Sequence, residues 1–466
     1  MDTRTSPARL RIEQVRDALQ RHDFAAVLVP SSDPHLSEYL PARWQAREWL
    51  SGFTGSMGTL VVTRTQAALF ADSRYWTQAE EELAGSGIAL VRIPTGVSAQ
   101  HVEWLAREVP AGQTVAVDGQ VLGLAAAQAL RAALAAAGVT LRTDLDVVAE
   151  AWPDRPALPA APVSEHVAPH APLPRRDKLA QVRAAMAAHG ATHHFVSTLD
   201  DIAWLYNLRG GDVVFNPVFL AHTLIDGERA TLFIADGKID AALAVRLAAD
   251  GVQLAAYDQA AGALAALAGD DDKTVLLVDP KRVTLGLREQ VPAGVRVVEA
   301  INPSTLAKSR KTAAEAAHVR AAMEMDGAAM CEFYAAFEAA LARGERLTEI
   351  DVDARISAAR ARQPELRGTS FGTIAGFNAH GALPHYHATP ASNAVIEGDG
   401  LLLIDSGGQY LGGTTDITRV WPIGTVSAAM KRDYTLVLKG TIALSRTRFP
   451  RGTLSPTSIF AKMISL

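Results

Sequence analysis

Two stretches in the first half of the chain share one order of apolar and polar positions. Residues 11–33 read RIEQVRDALQRHDFAAVLVPSSD, and residues 178–200 read KLAQVRAAMAAHGATHHFVSTLD. In each stretch apolar residues recur with helical spacing, a short break follows, and an apolar run leads into an acidic turn. The pattern therefore predicts the same helix–strand unit twice, as in an internal structural repeat.

The sequences that follow these two units also resemble each other. Residues 49–72 and 204–236 each begin with Trp-Leu, pass through a glycine turn and continue as two apolar runs around a polar turn, which is typical of a strand hairpin. Between the two units, residues 152–174 contain seven prolines and predict an extended connector, because proline disrupts both helices and sheets. We therefore expect two related α/β domains, residues 1–155 and residues 156–308.

The pattern of the chain changes after residue 308. Apolar and alanine positions recur with helical spacing over residues 308–344, where Gly344 is suited to end a helix. A second helix is predicted after Thr348, a good N-cap residue followed by acidic residues in the first turn. Strand and turn patterns come next, so residues 309–466 are predicted to form an α+β domain.

Composition excludes several classes of protein. The chain has 466 residues, of which 48% are hydrophobic and 20% charged, with a mean hydropathy of +0.08, as expected of a globular protein. A net charge of -5 gives no reason to expect nucleic-acid binding. The N-terminus has no apolar signal segment and the alanine-rich runs are too weakly apolar to span a bilayer, so we expect no membrane association.

The only cysteine of the chain, Cys331, is consistent with a reducing cytoplasm. It lies in an apolar helical run, MCEFYAAFEAAL. Cysteine is among the residue types most often buried, so this position predicts a small buried side chain rather than a reactive thiol.

The candidate chemistry begins with two aspartates in the stretch LLLIDSGGQYLGGTTDITR, residues 401–419. Asp405 ends an apolar run, and Asp416 follows it after a turn rich in glycine. On antiparallel strands two such carboxylates lie within about 5 Å of each other, and they repel unless a cation lies between them. The pattern leaves two interpretations open: a hairpin with two incidental acids, or half of a metal site whose oxygen ligands favour manganese or magnesium.

The stretch FNAHGALPHYHATP, residues 377–390, adds three histidines in a loop sequence. Taken singly, each of them is most simply a polar side chain at the surface. We retain this interpretation for His380 and His387. For His385 a family resemblance changes it.

Several long segments resemble one family of enzymes. GTIAGFNAHGALPHY and LLLIDSGGQYLGGTTDITRVW resemble the first half of the catalytic domain of metallopeptidases with the pita-bread fold. SSDPHLSEYL, ADSRYWTQAEEEL, LDDIAWLYNLRGGDVVFNPVF and VLKGTIALSRTRFPRGT resemble, in the same order, segments of the cytosolic three-domain type of Xaa-Pro aminopeptidase (aminopeptidase P). The resemblance extends from about residue 10 to residue 454, nearly the whole chain.

This resemblance implies two creatinase-type N-terminal α/β domains followed by a pita-bread domain, here truncated. It implies hydrolysis that releases an N-terminal residue preceding proline, so the expected partners are peptides with proline at the second position. Two divalent metal ions, typically manganese, are the implied cofactors. A cytoplasmic location and a homodimer are implied as well.

The resemblance also assigns roles to residues. Asp405 corresponds to a carboxylate that binds the first metal, and Asp416 to the carboxylate that binds both metals. His385 corresponds to a histidine that contacts the substrate and stabilises the tetrahedral intermediate, and is thus a catalytic candidate. Arg74 corresponds to a substrate-binding arginine; without the resemblance it would be a surface arginine at a strand end.

The match to the family's metal site is partial. That site has a further histidine and two glutamates, with a second substrate-facing histidine, all later than the second aspartate. Here no histidine follows His387, no glutamate follows Glu397, and the only acid after Asp416 is Asp433. We therefore expect a truncated catalytic domain with weak metal binding, feeble or no activity, and an exposed apolar sheet face with unpaired strand edges.

Two other functions remain open. A pita-bread domain with few metal ligands can serve as a non-catalytic peptide-binding or dimerisation module. A prolidase-like dipeptidase is the other alternative, although the two N-terminal domains and the segment NLRGGDVVFNPVF argue against it.

Overall fold

The computed structural model describes residues 6–96, 98–267 and 273–448. The chain divides into two compact units. Unit 1 comprises residues 1–325, 365–371 and 409–415, and unit 2 comprises residues 326–364, 372–408 and 416–466. None of the helices in the described ranges has the length and apolar character needed to cross a membrane.

The first domain of unit 1 is a six-stranded mixed sheet flanked by helices, in the strand order β4-β3-β2-β1-β5-β6. Its strands are β1 (Ala26–Pro30), β2 (Thr59–Thr63), β3 (Ala67–Asp72), β4 (Ala89–Ile93), β5 (Thr114–Ala116) and β6 (Thr140–Arg142). Its helices are α1 (Pro7–Arg21), α2 (Ala46–Ser51), α3 (Trp76–Glu82), α4 (Gln100–Glu108), α5 (Leu124–Ala136) and α6 (Val147–Ala151), with a 3-10 turn at Ala42–Trp44. In α1 the apolar positions Ile12, Val15 and Leu19 are buried, so the predicted amphipathic spacing packs one face on the sheet.

The second domain repeats this sheet, with the order β12-β11-β10-β8-β13-β14. The strands of this part of the chain are β7 (Ser164–Glu165), β8 (His193–Val196), β9 (Leu208–Arg209), β10 (Ala221–Ile225), β11 (Ala230–Ile234), β12 (Val252–Ala256), β13 (Val275–Val278) and β14 (Arg296–Glu299). The helices are α7 (Arg175–Ala188), α8 (Leu199–Tyr206), α9 (Ala241–Ala249), α10 (Gln259–Ala265), α11 (Leu285–Glu289) and α12 (Pro303–Ser309).

Each parallel or antiparallel pairing in the second sheet has its counterpart in the first. The predicted structural repeat is therefore confirmed. The proline-rich residues 152–174 contain no helix, and their only regular element is the short strand β7, which pairs with β9.

The remaining elements begin with two helices, α13 (Ala313–Ala342) and α14 (Glu349–Ala361). They are followed by β15 (Leu366–Thr369), β16 (Ile374–Phe377), a 3-10 turn at Asn378–Ala382, β17 (Gly400–Ser406), β18 (Gly408–Tyr410), β19 (Ile417–Ile423) and α15 (Ala428–Arg446). Strands β16, β17 and β19 form an antiparallel sheet, while β15 and β18 form a separate pair. The predicted order of helices first and strands after is confirmed.

The predicted helix boundaries have the expected causes. Thr348 caps α14 by accepting a hydrogen bond from the Asp351 amide, while the Asp351 side chain accepts one from the Thr348 amide. Gly344 has φ +72°, the left-handed conformation that suits glycine after a helix.

Helix α15 has no buried residue in the structure, and six of its large apolar side chains are exposed. These are Tyr434, Leu436, Val437, Leu438, Ile442 and Leu444. Val437 is 71% exposed. The sequence predicted exposed apolar surface on a sheet face, whereas these exposed apolar side chains lie on a helix.

Cys331 is exposed, so the prediction of a buried side chain was wrong. The large buried side chains of α13 around it are Met330, Phe333 and Phe337, which with the buried Ala329 form one face of the helix. Cys331 follows Met330 directly, and a step of one residue turns a helical side chain by about 100° away from that face.

Buried histidines in unit 1 pack between the two N-terminal domains. The Nδ1 atom of His35 lies 2.7 Å from the carbonyl oxygen of Ser197, and its Nε2 atom lies 2.8 Å from the Tyr257 hydroxyl. The ring of His222 stacks on His35 with 4.5 Å between centroids. Burial lowers the pKa of His35 and lowers that of His222 well below its usual value, and burial lowers the pKa of His194, in β8, to about 4.

These lowered pKa values predict that acid destabilises unit 1. The unfolded chain takes up protons near pH 6.5, whereas the folded chain resists protonation at His35, His222 and His194. The stability contributed by each neutral histidine is present above pH 6.5 and is lost as the pH falls, at up to about 1.4 kcal/mol per pH unit per group.

Urea denaturation at pH 7 and pH 5 measures this effect. His194→Phe should reduce the difference in the free energy of unfolding between the two pH values, whereas His387→Asn, a change of an exposed histidine outside unit 1, should leave it unchanged. An equal pH difference in wild type and H194F would contradict the prediction.

Candidate active site

Asp405 and Asp416 are placed by the register of β17 against β19. Asp405 is half-buried on β17 and lies directly opposite Thr418 on β19, whose hydroxyl donates a hydrogen bond of 2.7 Å to Asp405 Oδ1. Asp416 precedes β19 by one residue and lies two positions before Thr418. Because side chains alternate along a strand, Asp416 is on the same face as Thr418 and therefore as Asp405.

The electrostatics of the pair agree with this placement. Partial burial raises the pKa of Asp416, and so does the nearby negative charge of Asp405. The Asp405 carboxylate also accepts a hydrogen bond from the protonated form of Asp416. The structure thus brings the two carboxylates together, as their spacing predicted, while their role as metal ligands stays a prediction.

The segment between the two aspartates is more elaborate than the predicted hairpin turn. Within it, β18 leaves the β17–β19 ladder and pairs with β15. A bridge between Gln409 and Thr414 then reverses the chain before Asp416. The chain between the two acids therefore does not form one tight turn.

The donor chemistry of this pair suits a hard divalent cation. Carboxylate oxygens are preferred ligands of manganese and magnesium, and two adjacent negative charges are stabilised by a cation between them. Asp405 and Asp416 therefore fit part of an oxygen-ligand site. Over residues 6–96, 98–267 and 273–448, no group of three or more histidine, cysteine, aspartate or glutamate side chains is arranged to hold a metal.

His385 lies in the turn that follows the 3-10 segment after β16, and its side chain is exposed. Its neighbour Tyr386 is buried. Strand β16 pairs with β17, and Ile374 of β16 lies opposite Asp405. The loop of residues 377–394, called the histidine loop because it carries three histidines, thus starts from the sheet that carries Asp405. His387 is exposed, as predicted.

His380 is more than a polar surface side chain, because its partly exposed ring also contacts a buried residue. Its Nδ1 atom lies 2.9 Å from Oε1 of Glu349, and its ring stacks on Tyr386 with 4.4 Å between centroids. The Glu349 side chain is completely buried. His380 is therefore part of a hydrogen-bond network that reaches into the interior of unit 2.

Glu349 is the residue of this region that sequence reasoning missed. As the first residue of α14 it is predicted by the sequence only to complement the helix dipole. The sequence did contain one indication of a further role. Asp351 is sufficient to complete the cap with Thr348, so the second acid, Glu349, is not needed for capping. The sequence contained no indication of which groups it binds.

Arg74 lies just after β3 in the first domain. Its Nε and Nη2 atoms each donate a 2.8 Å hydrogen bond to the carboxylate of Asp72, which is buried. The bond to Asp72 raises the pKa of Arg74, and the side chain of Arg74 is 42% exposed. The guanidinium is thus held in one direction and is accessible. Its role in binding substrate stays a prediction.

Family comparisons divide the chain into three matched parts. A model of the creatinase/prolidase N-terminal domain matches residues 11–148, and a second model of that description matches residues 154–315. A model of metallopeptidase family M24 matches residues 317–461. These matches confirm the predicted fold class of two creatinase-type α/β domains followed by a pita-bread domain.

Two proteins of similar sequence are described as probable aminopeptidases. The chain is 35% identical over 450 residues to a probable Xaa-Pro aminopeptidase P of Talaromyces marneffei, covering 95% of this chain and 68% of that protein. It is 34% identical over 453 residues to a probable Xaa-Pro aminopeptidase P of Neosartorya fischeri, covering 95% of this chain and 69% of that protein.

A solved structure extends the similarity to three dimensions. The X-prolyl aminopeptidase of Caenorhabditis elegans, described as a cytosolic enzyme with a di-nuclear active site, has a TM-score of 0.92 and 28% identity, covering 98% of this chain and 77% of that one. With the sequence relatives and the M24 match, this similarity shows that the chain belongs to the Xaa-Pro aminopeptidase P family of M24 metallopeptidases.

Proposed function

We propose that this chain acts as an Xaa-Pro aminopeptidase, which hydrolyses the bond between the first residue of a peptide and a proline at the second position. Membership of the aminopeptidase P family supports this activity. The observation that carries the proposal is the register of β17 and β19, which puts Asp405 and Asp416 on one face.

The proposed cofactors are two divalent ions, manganese in particular, held in part by Asp405 and Asp416. When bound, such ions supply Lewis acidity that lowers the pKa of water and polarises the scissile carbonyl. In the proposal His385 contacts the substrate near the reacting carbonyl. Arg74, fixed by Asp72, binds a negatively charged or carbonyl group of the peptide.

The proposal includes a cytoplasmic homodimer. The Caenorhabditis elegans neighbour is described as cytosolic, which supports the location. The oligomeric state rests on the family resemblance, and size-exclusion chromatography with light scattering measures it directly.

Hydrolysis and metal content test these statements together. The purified chain is incubated with manganese and an Xaa-Pro-containing tripeptide, and a tripeptide with alanine in place of proline is the matched control. Release of the first residue from the proline peptide alone supports the aminopeptidase. Turnover that requires manganese would support the proposed cofactor, whereas equal turnover after removal of metal with a chelator would contradict it.

The same assay separates the alternatives. Cleavage confined to an Xaa-Pro dipeptide would indicate a prolidase-like dipeptidase. Saturable binding of the tripeptide without cleavage at any manganese concentration would indicate a non-catalytic peptide-binding module. Either result would overturn the proposed function.

A further inference from the structure

One buried carboxylate accepts hydrogen bonds from both ends and from the middle of the histidine loop. Glu349 Oε1 accepts from the Phe377 amide at 2.7 Å and lies 2.9 Å from His380 Nδ1. Its Oε2 accepts from the Tyr386 hydroxyl at 2.8 Å and from the Ala394 amide at 2.9 Å. The hydrogen bonds thus replace the water that the completely buried carboxylate has lost.

The four donors come from both ends and from the middle of one segment. Phe377 is the last residue of β16, and Ala394 lies where the loop returns to the start of α14. The return is reinforced by the Glu349 amide, which donates 3.1 Å to the carbonyl oxygen of Ala394. Glu349 therefore closes residues 377–394 into a loop with fixed ends.

Tyr386 connects this network to the exposed histidine. Its hydroxyl oxygen lies 2.8 Å from Glu349 Oε2 and 2.8 Å from the carbonyl oxygen of Ser392, two acceptors that share its single proton. Partial burial raises the pKa of Tyr386 to about 12, so the hydroxyl keeps its proton at neutral pH. Since His385 precedes this anchored, buried tyrosine directly, the direction of its own exposed side chain depends on the anchor.

We propose that Glu349 is a positioning residue, which through Tyr386 fixes the orientation of His385 in the loop that starts from the sheet carrying Asp405. This inference rests on the proposed function of His385 and adds a residue that acts behind it. Glu349 itself is buried and touches no substrate. Misplacing a catalytic group by about 1 Å can reduce a rate about 100-fold.

Two substitutions and one control test the proposal. Glu349→Gln replaces one acceptor oxygen by a donor, which must face either the two donors on Oε1 or the two on Oε2. Tyr386→Phe removes a single hydroxyl and keeps the ring, so it tests the link if E349Q does not fold. Tyr334→Phe is the matched control, because the Tyr334 hydroxyl of unit 2 is buried without a hydrogen-bond partner in the described structure.

The kinetic readout separates positioning from general damage. With the proline tripeptide, E349Q is expected to lower kcat about tenfold or more, with KM changed by less than about twofold. Y386F should do the same to a smaller extent, and Y334F should match wild type. The rise in melting temperature on adding manganese should persist in all three variants, because both aspartates are retained.

A spectroscopic readout decides the point without activity. In protein labelled with ¹³C at histidine, the His385 resonance is assigned by its loss in His385→Gln. It should shift or broaden in E349Q and Y386F and stay unchanged in Y334F. If wild type hydrolyses no peptide, the proposed function fails while this resonance still tests the positioning. An unchanged His385 signal in folded E349Q and Y386F would overturn the inference.

Discussion

Replacing Asp416 with asparagine is expected to lower the rate of proline-peptide hydrolysis about 100-fold or more, which corresponds to about 2.7 kcal/mol of lost transition-state stabilisation. Asparagine keeps the size of the side chain but removes the charge that, with Asp405, is proposed to attract a divalent ion. Manganese should then no longer raise the melting temperature, because a ligand stabilises a protein only by binding its folded state. Calorimetric melting with and without manganese, together with the tripeptide assay, measures both effects.

Without metal, the same substitution is expected to have the opposite effect on the stability of the protein. The pKa of Asp416 is raised in the folded state, so its contribution to stability is present below the unfolded value near 3.9 and is lost as the pH rises through the raised value. D416N has no such loss and should be at least as stable as wild type near neutral pH without metal.

Asp433→Asn is the control for charge alone, since Asp433 is an exposed acid on α15 that pairs only with its neighbour Arg432 among the described ion pairs. It should retain both the activity and the response to manganese. If manganese stabilises D416N as much as it stabilises the wild type, Asp416 does not bind the metal.

Replacing Asp326 with alanine is expected to lower the free energy of unfolding of unit 2 by about 3–5 kcal/mol. Asp326 on α13 accepts hydrogen bonds of 2.7 and 3.1 Å from the guanidinium of Arg360 on α14, and both side chains are almost completely buried. Removal of the carboxylate leaves a positive charge in the interior beside Met330 without its counter-ion. Urea denaturation followed by hydrogen exchange of the α13 and α14 amides measures the loss within unit 2.

The same two helices offer a matched control at the surface. Glu332 of α13 pairs with Arg362, just after α14, at 2.7 Å, and their side chains are 53% and 59% exposed. Glu332→Ala should cost only about 0–1 kcal/mol, because water screens an exposed pair. Equal losses in D326A and E332A would contradict the prediction. The double change Asp326→Leu with Arg360→Met should recover most of the loss by replacing the buried ion pair with apolar contacts.

Much of the fold was predictable because it depends on patterns of residues close together in the sequence. The repeat of helix, strand and hairpin in the first two domains appears in the spacing of apolar residues, and the matching sheet orders confirm it. The boundaries at Thr348 and Gly344 follow from capping chemistry within a few residues. The exposure of Cys331 was missed because one residue of offset on a helix decides burial.

The candidate site was predictable only in part. The proximity of Asp405 and Asp416 follows from strand alternation once the two strands are paired. The partners of Glu349 and the environment of His380 were not accessible, because they lie about 30 residues or more apart in sequence.

By itself, the sequence determined the repeated α/β domains, the α+β character of the last region, the family and the identity of the two convergent acids, because each depends on short-range periodicity or on motifs within one segment. Only the tertiary structure decided that Glu349 binds the histidine loop from the interior, that Arg360 and Asp326 form a buried pair, and that His35 stacks on His222. These contacts join residues far apart in the chain, and a buried polar side chain takes its role from whichever partner the packing brings within hydrogen-bond distance.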